Sequence, residues 1–113
     1  MIKTTYFAHA KKLDPSLNLV SIARYTPPGF PGRLYHKLAP SPALLAYVKS
    51  TNDTEGYIRE FAQQLNRLDP HQVVQELGEN PILVCYEAPG KFCHRHLVAD
   101  WLRQAGYTVV ELN

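Results

Sequence analysis

The chain has 113 residues, of which 45% are hydrophobic and 19% are charged, and its formal net charge is +2. These values are ordinary for a globular protein and predict a single domain over residues 1–113. The positive charge is weak and scattered, so it does not by itself indicate a binder of nucleic-acid backbone, which usually carries a clustered basic face.

No apolar run approaches the roughly 20 residues that a transmembrane helix needs, and no membrane association is expected. The first residues lack a signal-peptide pattern, which makes the cytoplasm the default location. Two cysteines are too few for a secreted disulfide scaffold. Cys85 and Cys93 are therefore expected to be free thiols in a reducing compartment.

The first third of the chain predicts two strands and an irregular loop. Residues 2–8 are rich in β-branched and aromatic side chains and predict a strand, and residues 19–24 predict a second, shorter one. Residues 26–38 contain three prolines and two glycines and predict a long irregular loop. Such a loop in a small domain is often functional, or else poorly ordered.

The middle of the chain predicts helices. Ser41 as the N-cap and Pro42 at the first helical position indicate a short helix. A longer helix is predicted over residues 53–68, with Asn52 and Glu55 at capping-box spacing. Its predicted apolar face consists of Ile58, Phe61, Leu65 and Leu68. Asp69-Pro70 ends this helix, and one or two further turns are expected over residues 71–77.

The last third predicts a strand, a helix and a strand. Residues 82–86 form a continuous apolar run, typical of a strand covered on both faces. An amphipathic helix is predicted over residues 93–104, capped by Gly106, and a final strand over residues 107–112. This order predicts a crossover between parallel strands. The expected fold class is α/β, with a mainly parallel sheet flanked by helices in three layers.

Reactive side chains are concentrated where the strand at residues 82–86 meets the following helix. Carboxyl ends of strands and amino ends of helices form the usual ligand crevice of such sheets. Strand alternation places Leu83, Cys85 and Glu87 on one face and Ile82, Val84 and Tyr86 on the other. A buried packing role is favoured for Cys85. Two roles for Glu87 are weighed equally. It is either a site residue, as a general base or the partner of a neighbouring Arg, or a structural residue that accepts hydrogen bonds from the backbone of the following turn.

The start of the predicted helix carries Cys93 and His94. Free N–H groups and the helix dipole stabilise a thiolate there, so Cys93 suits a nucleophile, a redox thiol or a soft metal ligand. Helix capping or packing is the equally weighted alternative. His94 shares a helical face with Val98 and Trp101 and is expected to point toward the sheet, whereas His96 is expected to face solvent.

A zinc site is not expected, although Cys85, Cys93, His94 and His96 are residue types that suit zinc. Structural zinc ligands usually come in closely spaced pairs on turns, whereas here one cysteine lies in a strand and the other ligands diverge around a helix. A Cys85–Cys93 disulfide is geometrically possible but not expected in the cytosol. No motif in the sequence indicates a particular cofactor.

Arg24 ends the second predicted strand, and Arg95 lies in the first turn of the last helix. If these strands are neighbours, both guanidinium groups face one crevice and suit an anion such as phosphate or carboxylate. The alternative is that each Arg pairs with a local acid, for example Arg95 with Glu87. Aromatic residues that could stack on a base are Phe30, Tyr35 and Phe92.

These motifs resemble the domain of unknown function 488 family. The resemblance is carried by Cys85-Tyr-Glu87 on a strand, Cys93-His-Arg95 at a helix start, and Ser21-Ile-Ala-Arg24 with the Leu-Ala-Pro-Ser segment at residues 38–41. It implies a small cytoplasmic α/β protein without an established activity. The family's shared polar residues would correspond here to Arg24, Cys85, Glu87, Cys93, His94 and Arg95.

Three hypotheses follow. In the first, the protein is an enzyme acting on a nucleotide or nucleic acid, with Glu87, Cys93 and His94 as catalytic residues and Arg24, Arg95, Tyr35 and Cys85 contacting the substrate. In the second, the same crevice belongs to a non-catalytic nucleotide or nucleic-acid binding module. In the third, the cluster is structural, with Glu87 and Arg95 tying strand to helix. The oligomeric state is left open.

Overall fold

Five parallel strands form the centre of the molecule in a computed structural model, which describes residues 1–86 and 93–112. The spatial order is β3-β2-β4-β1-β5, so β4 lies in the middle of the sheet. The strands are β1 (Ile2–Tyr6), β2 (Leu19–Ser21), β3 (Arg33–Leu34), β4 (Ile82–Cys85) and β5 (Val109–Glu111). The predicted α/β class with a parallel sheet is confirmed.

Helices and a loop cover the two faces of the sheet. One face packs against the helices α2 (Pro42–Thr51), α3 (Thr54–Asn66), α4 (Pro70–Leu77) and α5 (His94–Gln104). The other face packs against the short helix α1 (Phe7–Ala10) and the loop side chain Phe30. Within β4, Leu83 and Cys85 belong to the first core and Ile82 and Val84 to the second, as the alternation predicted.

The chain leaves β2 and β4 in opposite directions at their carboxyl ends. Ser21 of β2 lies opposite Val84 of β4. The chain then runs from β2 outward to β3, whereas it runs from β4 through α5 to β5 on the far side of β1. Divergent connections from neighbouring parallel strands open a crevice between them. The topology therefore places a crevice between the ends of β2 and β4, beside the amino end of α5.

Several predicted boundaries are wrong near the amino terminus. The first strand ends at Tyr6, because residues 7–10 turn into α1, and the second ends at Ser21 instead of at Arg24. The loop predicted over residues 26–38 contains β3 and a 3₁₀ turn at His36–Leu38. Gly32 makes this pairing possible, since a Cβ there would clash with the backbone carbonyl of Leu19.

The junction of α2 and α3 also differs from the prediction. Asn52 adopts a left-handed conformation with φ 55° and ends α2, and Asp53 caps α3 by accepting a hydrogen bond from the Gly56 backbone N–H at 2.9 Å. The buried face of α3 also differs from the prediction, because Tyr57 is buried whereas Ile58 is 37% exposed. The predicted cap of α2 is confirmed, because Ser41 Oγ accepts from the Leu44 backbone N–H at 3.1 Å.

Within residues 1–86 and 93–112, no helix combines the length and apolar character needed to cross a membrane.

Candidate functional site

A cleft of about 300 Å³ opens at the carboxyl ends of β2 and β4. Its walls come from the segment after β2, from α2 and α3, and from the first turn of α5. Among the predicted site residues, Arg24, Cys93 and His94 line it. A larger groove of about 530 Å³ runs between α2 and α3, but it contains none of the predicted site residues. The smaller cleft is therefore the candidate site.

The two cysteines meet at the inner end of this cleft. Cys85 is the last residue of β4 and is fully buried, as predicted, while Cys93 is the N-cap of α5 and is 5% exposed. Their sulfur atoms are joined in a disulfide. The prediction of two free thiols is wrong for this structure, because the turn of α5 onto the sheet brings Cys93 directly over the end of β4.

The backbone carbonyl of Ile22, the residue that follows β2, fixes the tautomer of His94. Its Nε2 lies 2.6 Å from the carbonyl oxygen of Ile22, which can only accept a hydrogen bond, so Nε2 carries the proton. The unprotonated Nδ1 then points toward Cys93, 3.9 Å from its Sγ. The predicted orientation of His94 toward the sheet is confirmed, since the residue is 8% exposed and its ring edge packs on Phe61.

Burial lowers the pKa of His94 to about 4, with the carbonyl of Ile22 opposing this shift and the nearby Arg95 charge adding to it. The imidazole is therefore neutral at pH 7, with a lone pair available at Nδ1.

The donor atoms of Cys85, Cys93 and His94 all lie within 4.8 Å of one another. The premise that sequence spacing keeps these side chains apart is therefore wrong, because α5 starts with both Cys93 and His94 turned toward the end of β4. In residues 1–86 and 93–112, this is the group of side chains with donor atoms placed to hold a metal ion. The disulfide occupies both sulfur atoms, so metal ligation would require its reduction.

Arg95 lies beside the cleft but does not line it. The side chain is fully buried, and its Nη2 forms an ion pair with Glu111 Oε2 at 2.8 Å. Its Nη1 donates to Cys85 Sγ at 3.4 Å, and its guanidinium lies 5.8 Å from the centroid of the Tyr6 ring. This arrangement ties α5 to β5, β4 and β1. The predicted pairing with Glu87 falls outside the described residues.

The ion pair also perturbs Glu111. Burial acts to raise the pKa of this carboxyl, but hydrogen bonds from Arg95 and from Thr4, whose Oγ1 lies 2.5 Å from Oε1, outweigh it and hold the pKa below its usual value. Glu111 was not among the predicted site residues. Its position on the last strand became relevant only because β5 lies next to β1.

Arg24 lies at the mouth of the cleft. Its Nε donates to the carbonyl oxygen of Pro40 at 2.9 Å and its Nη2 to that of His36 at 3.5 Å. Lys49 of α2 lines the same cleft. The strands that precede Arg24 and Arg95, β2 and β4, are neighbours, as expected. However, the second cation that lines the cleft is Lys49 instead of Arg95.

The aromatic residues at the cleft are not those expected. The Tyr35 hydroxyl donates to Glu76 at 2.5 Å on the side of α4, and Phe30 packs edge-on against Phe7 on the opposite face of the sheet. Phe92 lies outside the described residues. Three other tyrosines line the cleft, namely Tyr25, Tyr57 and Tyr86.

A family model described as the active DUF488-N3 subclade matches residues 2–106. The chain belongs to this family. No curated protein and no solved structure gave a match. The resemblance seen in the sequence is therefore confirmed at the level of the family, and the match spans every predicted site residue.

In this DUF488-N3 chain, the fold unites some predicted site residues and separates others. Cys85, Cys93 and His94 are in mutual contact, and Arg24 lies at the same cleft. Arg95 is directed to Glu111, and Tyr35 lies elsewhere. Lys49 and Tyr57 were missed, because nothing in the pattern of the predicted helices marks them as cleft residues. Only the packing of α2 and α3 against α5 shows that they face the cleft.

Proposed function

We propose that this DUF488-N3 protein is an enzyme that uses the Cys93 thiol as a nucleophile on a small phosphate-bearing substrate, such as a nucleotide or the terminal unit of a nucleic acid. The observation that carries the proposal is the pairing of His94 Nδ1 with Cys93 Sγ at 3.9 Å, with the tautomer set by Ile22. A nucleophile, an adjacent base and a third group that orients the base are the recurring parts of covalent catalysis.

The chemistry requires the reduced form of the protein. His94 Nδ1 then accepts the proton of the Cys93 thiol, while Nε2–H remains bonded to the carbonyl of Ile22 and stabilises the resulting imidazolium. The amino end of α5, which has 11 residues, favours negative charge on the sulfur of its N-cap residue. The thiolate attacks an electrophilic atom of the substrate, the bond from this atom to the leaving group breaks, and the proton held at Nδ1 passes to the leaving group. Water then cleaves the covalent intermediate and restores the thiol.

Charge and shape support a phosphate-bearing substrate. Arg24 and Lys49 place two cations at the cleft, and Tyr25, which is 61% exposed, offers its ring for stacking, whereas the Tyr86 ring packs against Phe7. A volume of about 300 Å³ lies at the small end of ligand pockets. A single nucleotide unit suits it better than a duplex. The cytoplasm, where thiols stay reduced, is the location that this chemistry requires.

Glu87 keeps its predicted role as an acid or base in this proposal. In the sequence it follows Cys85, the last residue of β4, by two positions.

A non-catalytic binding module is the second candidate. It is favoured by the disulfide, which leaves the cations and tyrosines of the cleft in place while the sulfur of Cys93 is bonded to Cys85. Binding by such a module would not depend on a free thiol.

The first experiment measures the reactivity of Cys93 directly. In a Cys85→Ala background, Cys93 is the only cysteine, so iodoacetamide labelling reports on it alone. We expect labelling at pH 7 to be about tenfold faster than that of an unperturbed cysteine, and His94→Asn to remove this advantage. His96→Asn, two residues along the same helix, is the matched control. Equal rates with and without His94 would refute the Cys93–His94 pairing.

The second experiment separates enzyme from binding module. Reduced protein is screened against nucleotides and short oligonucleotides for a rise in melting temperature. Arg24→Gln and Lys49→Gln should weaken a positive response, whereas Arg67→Gln in the other groove should not. With a ligand identified, Glu87→Gln should retain affinity in either case and lose turnover only in an enzyme. A protein that binds none of these ligands in the reduced form would contradict the proposed substrate class.

A further inference from the structure

We propose that Cys93 is a site of reversible oxidation by hydroperoxides and that Cys85 resolves the oxidised sulfur into the Cys85–Cys93 disulfide. The consequence, loss of the cleft's nucleophile, rests on the proposed function. The oxidation itself does not, because it requires only the two thiols and their surroundings.

The first argument is the different access to the two sulfur atoms. Cys93 lines the cleft, whereas Cys85 is fully buried at the end of the central strand and does not line it. A small oxidant that enters the cleft therefore reaches Cys93 first. His94 Nδ1, which faces the same sulfur at 3.9 Å, is placed to accept the thiol proton as the sulfur reacts with peroxide.

The second argument is the position of Cys85 as a resolving thiol. Its sulfur lies within bonding reach of Cys93, as the disulfide shows. The buried guanidinium of Arg95 donates to Cys85 Sγ at 3.4 Å, and a cation at this distance stabilises the thiolate. Oxidation-sensing cysteines commonly stand beside a resolving cysteine of this kind.

The reaction balances with a hydroperoxide, ROOH, as the oxidant. The Cys93 thiolate attacks the terminal oxygen, the O–O bond breaks, and ROH leaves after taking up a proton, which produces a sulfenic acid. The Cys85 thiolate then attacks the Cys93 sulfur, the S–O bond breaks, and hydroxide leaves as water after protonation. Two thiols lose two electrons in total, and one peroxide becomes ROH and water. A dithiol reductant restores both thiols by two exchange steps.

The disulfide would act as a protective block. It occupies the sulfur that the proposed chemistry uses, and it stops oxidation before the sulfinic stage, which is irreversible for most proteins. Because the bond links the end of β4 to the N-cap of α5, it forms at the inner end of the cleft and leaves Arg24 and Lys49 in place.

The test uses reduced full-length protein treated with one equivalent of hydrogen peroxide in the presence of a chelator. Intact mass and alkylation should show that wild type loses two hydrogens and both reactive thiols, and that dithiothreitol restores them. Cys85→Ser should accumulate a sulfenic acid at Cys93 that dimedone captures. Cys93→Ser should consume peroxide at least about tenfold more slowly, because the remaining thiol is buried. Cys85→Ala replaces Cys85→Ser if the buried hydroxyl prevents folding.

Two results would overturn the proposal. One is oxidation of Cys93→Ser as fast as wild type, which would make Cys85 the first target. The other is conversion of wild type to sulfinic acid with Cys85 still reduced. Neither depends on the proposed catalysis, which is judged by His94-dependent labelling in the Cys85→Ala background without peroxide. The two proposals can therefore fail separately.

Discussion

The burial of His94 predicts that the protein loses stability in mildly acidic solution. In the unfolded chain this imidazole takes up a proton near pH 6.5, whereas in the folded protein its pKa is about 4. Between these values the unfolded state binds more protons than the folded state. The free energy of unfolding therefore falls as the pH falls through this window, and it is fully retained above pH 6.5.

The expected magnitude follows from the two pKa values. A difference of about 2.5 units corresponds to about 3 kcal/mol when the whole window is crossed. From pH 7 to pH 5, where only part of the window is crossed, the expected loss is about 2 kcal/mol. Four carboxyl groups also have lowered pKa values, but they titrate below their ordinary values near 4 and so contribute little above pH 5; they are Asp14, Asp53, Glu76 and Glu111.

Urea unfolding followed by circular dichroism at pH 7, 6 and 5 measures this loss. His94→Gln should be less stable at pH 7 but should show a much smaller decrease between pH 7 and pH 5. His96→Gln, on the same helix and only partly buried, should retain the wild-type slope. If the free energy of unfolding falls equally for His94→Gln and wild type between pH 7 and pH 5, His94 is not a buried neutral group.

Three further substitutions test the packing around the site. Glu111→Gln should lower the free energy of unfolding by about 1–3 kcal/mol, because it leaves the buried Arg95 charge without its carboxylate. As a control, Asp100→Asn removes an exposed ion pair with Arg103 on α5 and should change the free energy by less than about 1 kcal/mol. Urea unfolding measures both changes. Ser41→Ala should cost about 1 kcal/mol through loss of the α2 cap, measured against Ser50→Ala, and an equal effect of both would contradict the capping role. Gly32→Ala should cost about 1–3 kcal/mol, because a Cβ there collides with the backbone of Leu19 and pushes β3 away from β2; an unchanged urea midpoint would refute this reason.

Local sequence patterns determined much of the fold. Alternation along residues 82–85 correctly assigned Leu83 and Cys85 to one face and Ile82 and Val84 to the other. The Ser-Pro pair at residues 41–42 correctly located the start of α2. These features depend on neighbours in the chain, so their physical cause is visible in the sequence.

Marginal local signals explain the errors. Asn52 and Asp53 are both good capping residues, and local sequence alone does not decide which of them caps α3. The two-residue strand β3 has no periodicity of its own, and its two side chains are exposed. It forms because β2 offers an open edge and Gly32 allows close approach.

The sequence by itself determined that Cys93 and His94 begin a helix directly after the strand that ends near Cys85, since these residues are close along the chain. Only the tertiary structure decided that Ile22, 72 positions before His94, orients its ring, and that Glu111 takes the charge of Arg95. The physical reason is that strand order is set by the free energy of the whole core, to which contacts between distant residues contribute. That order placed the sulfur of Cys93, the ring of His94 and the guanidinium of Arg24 at one cleft.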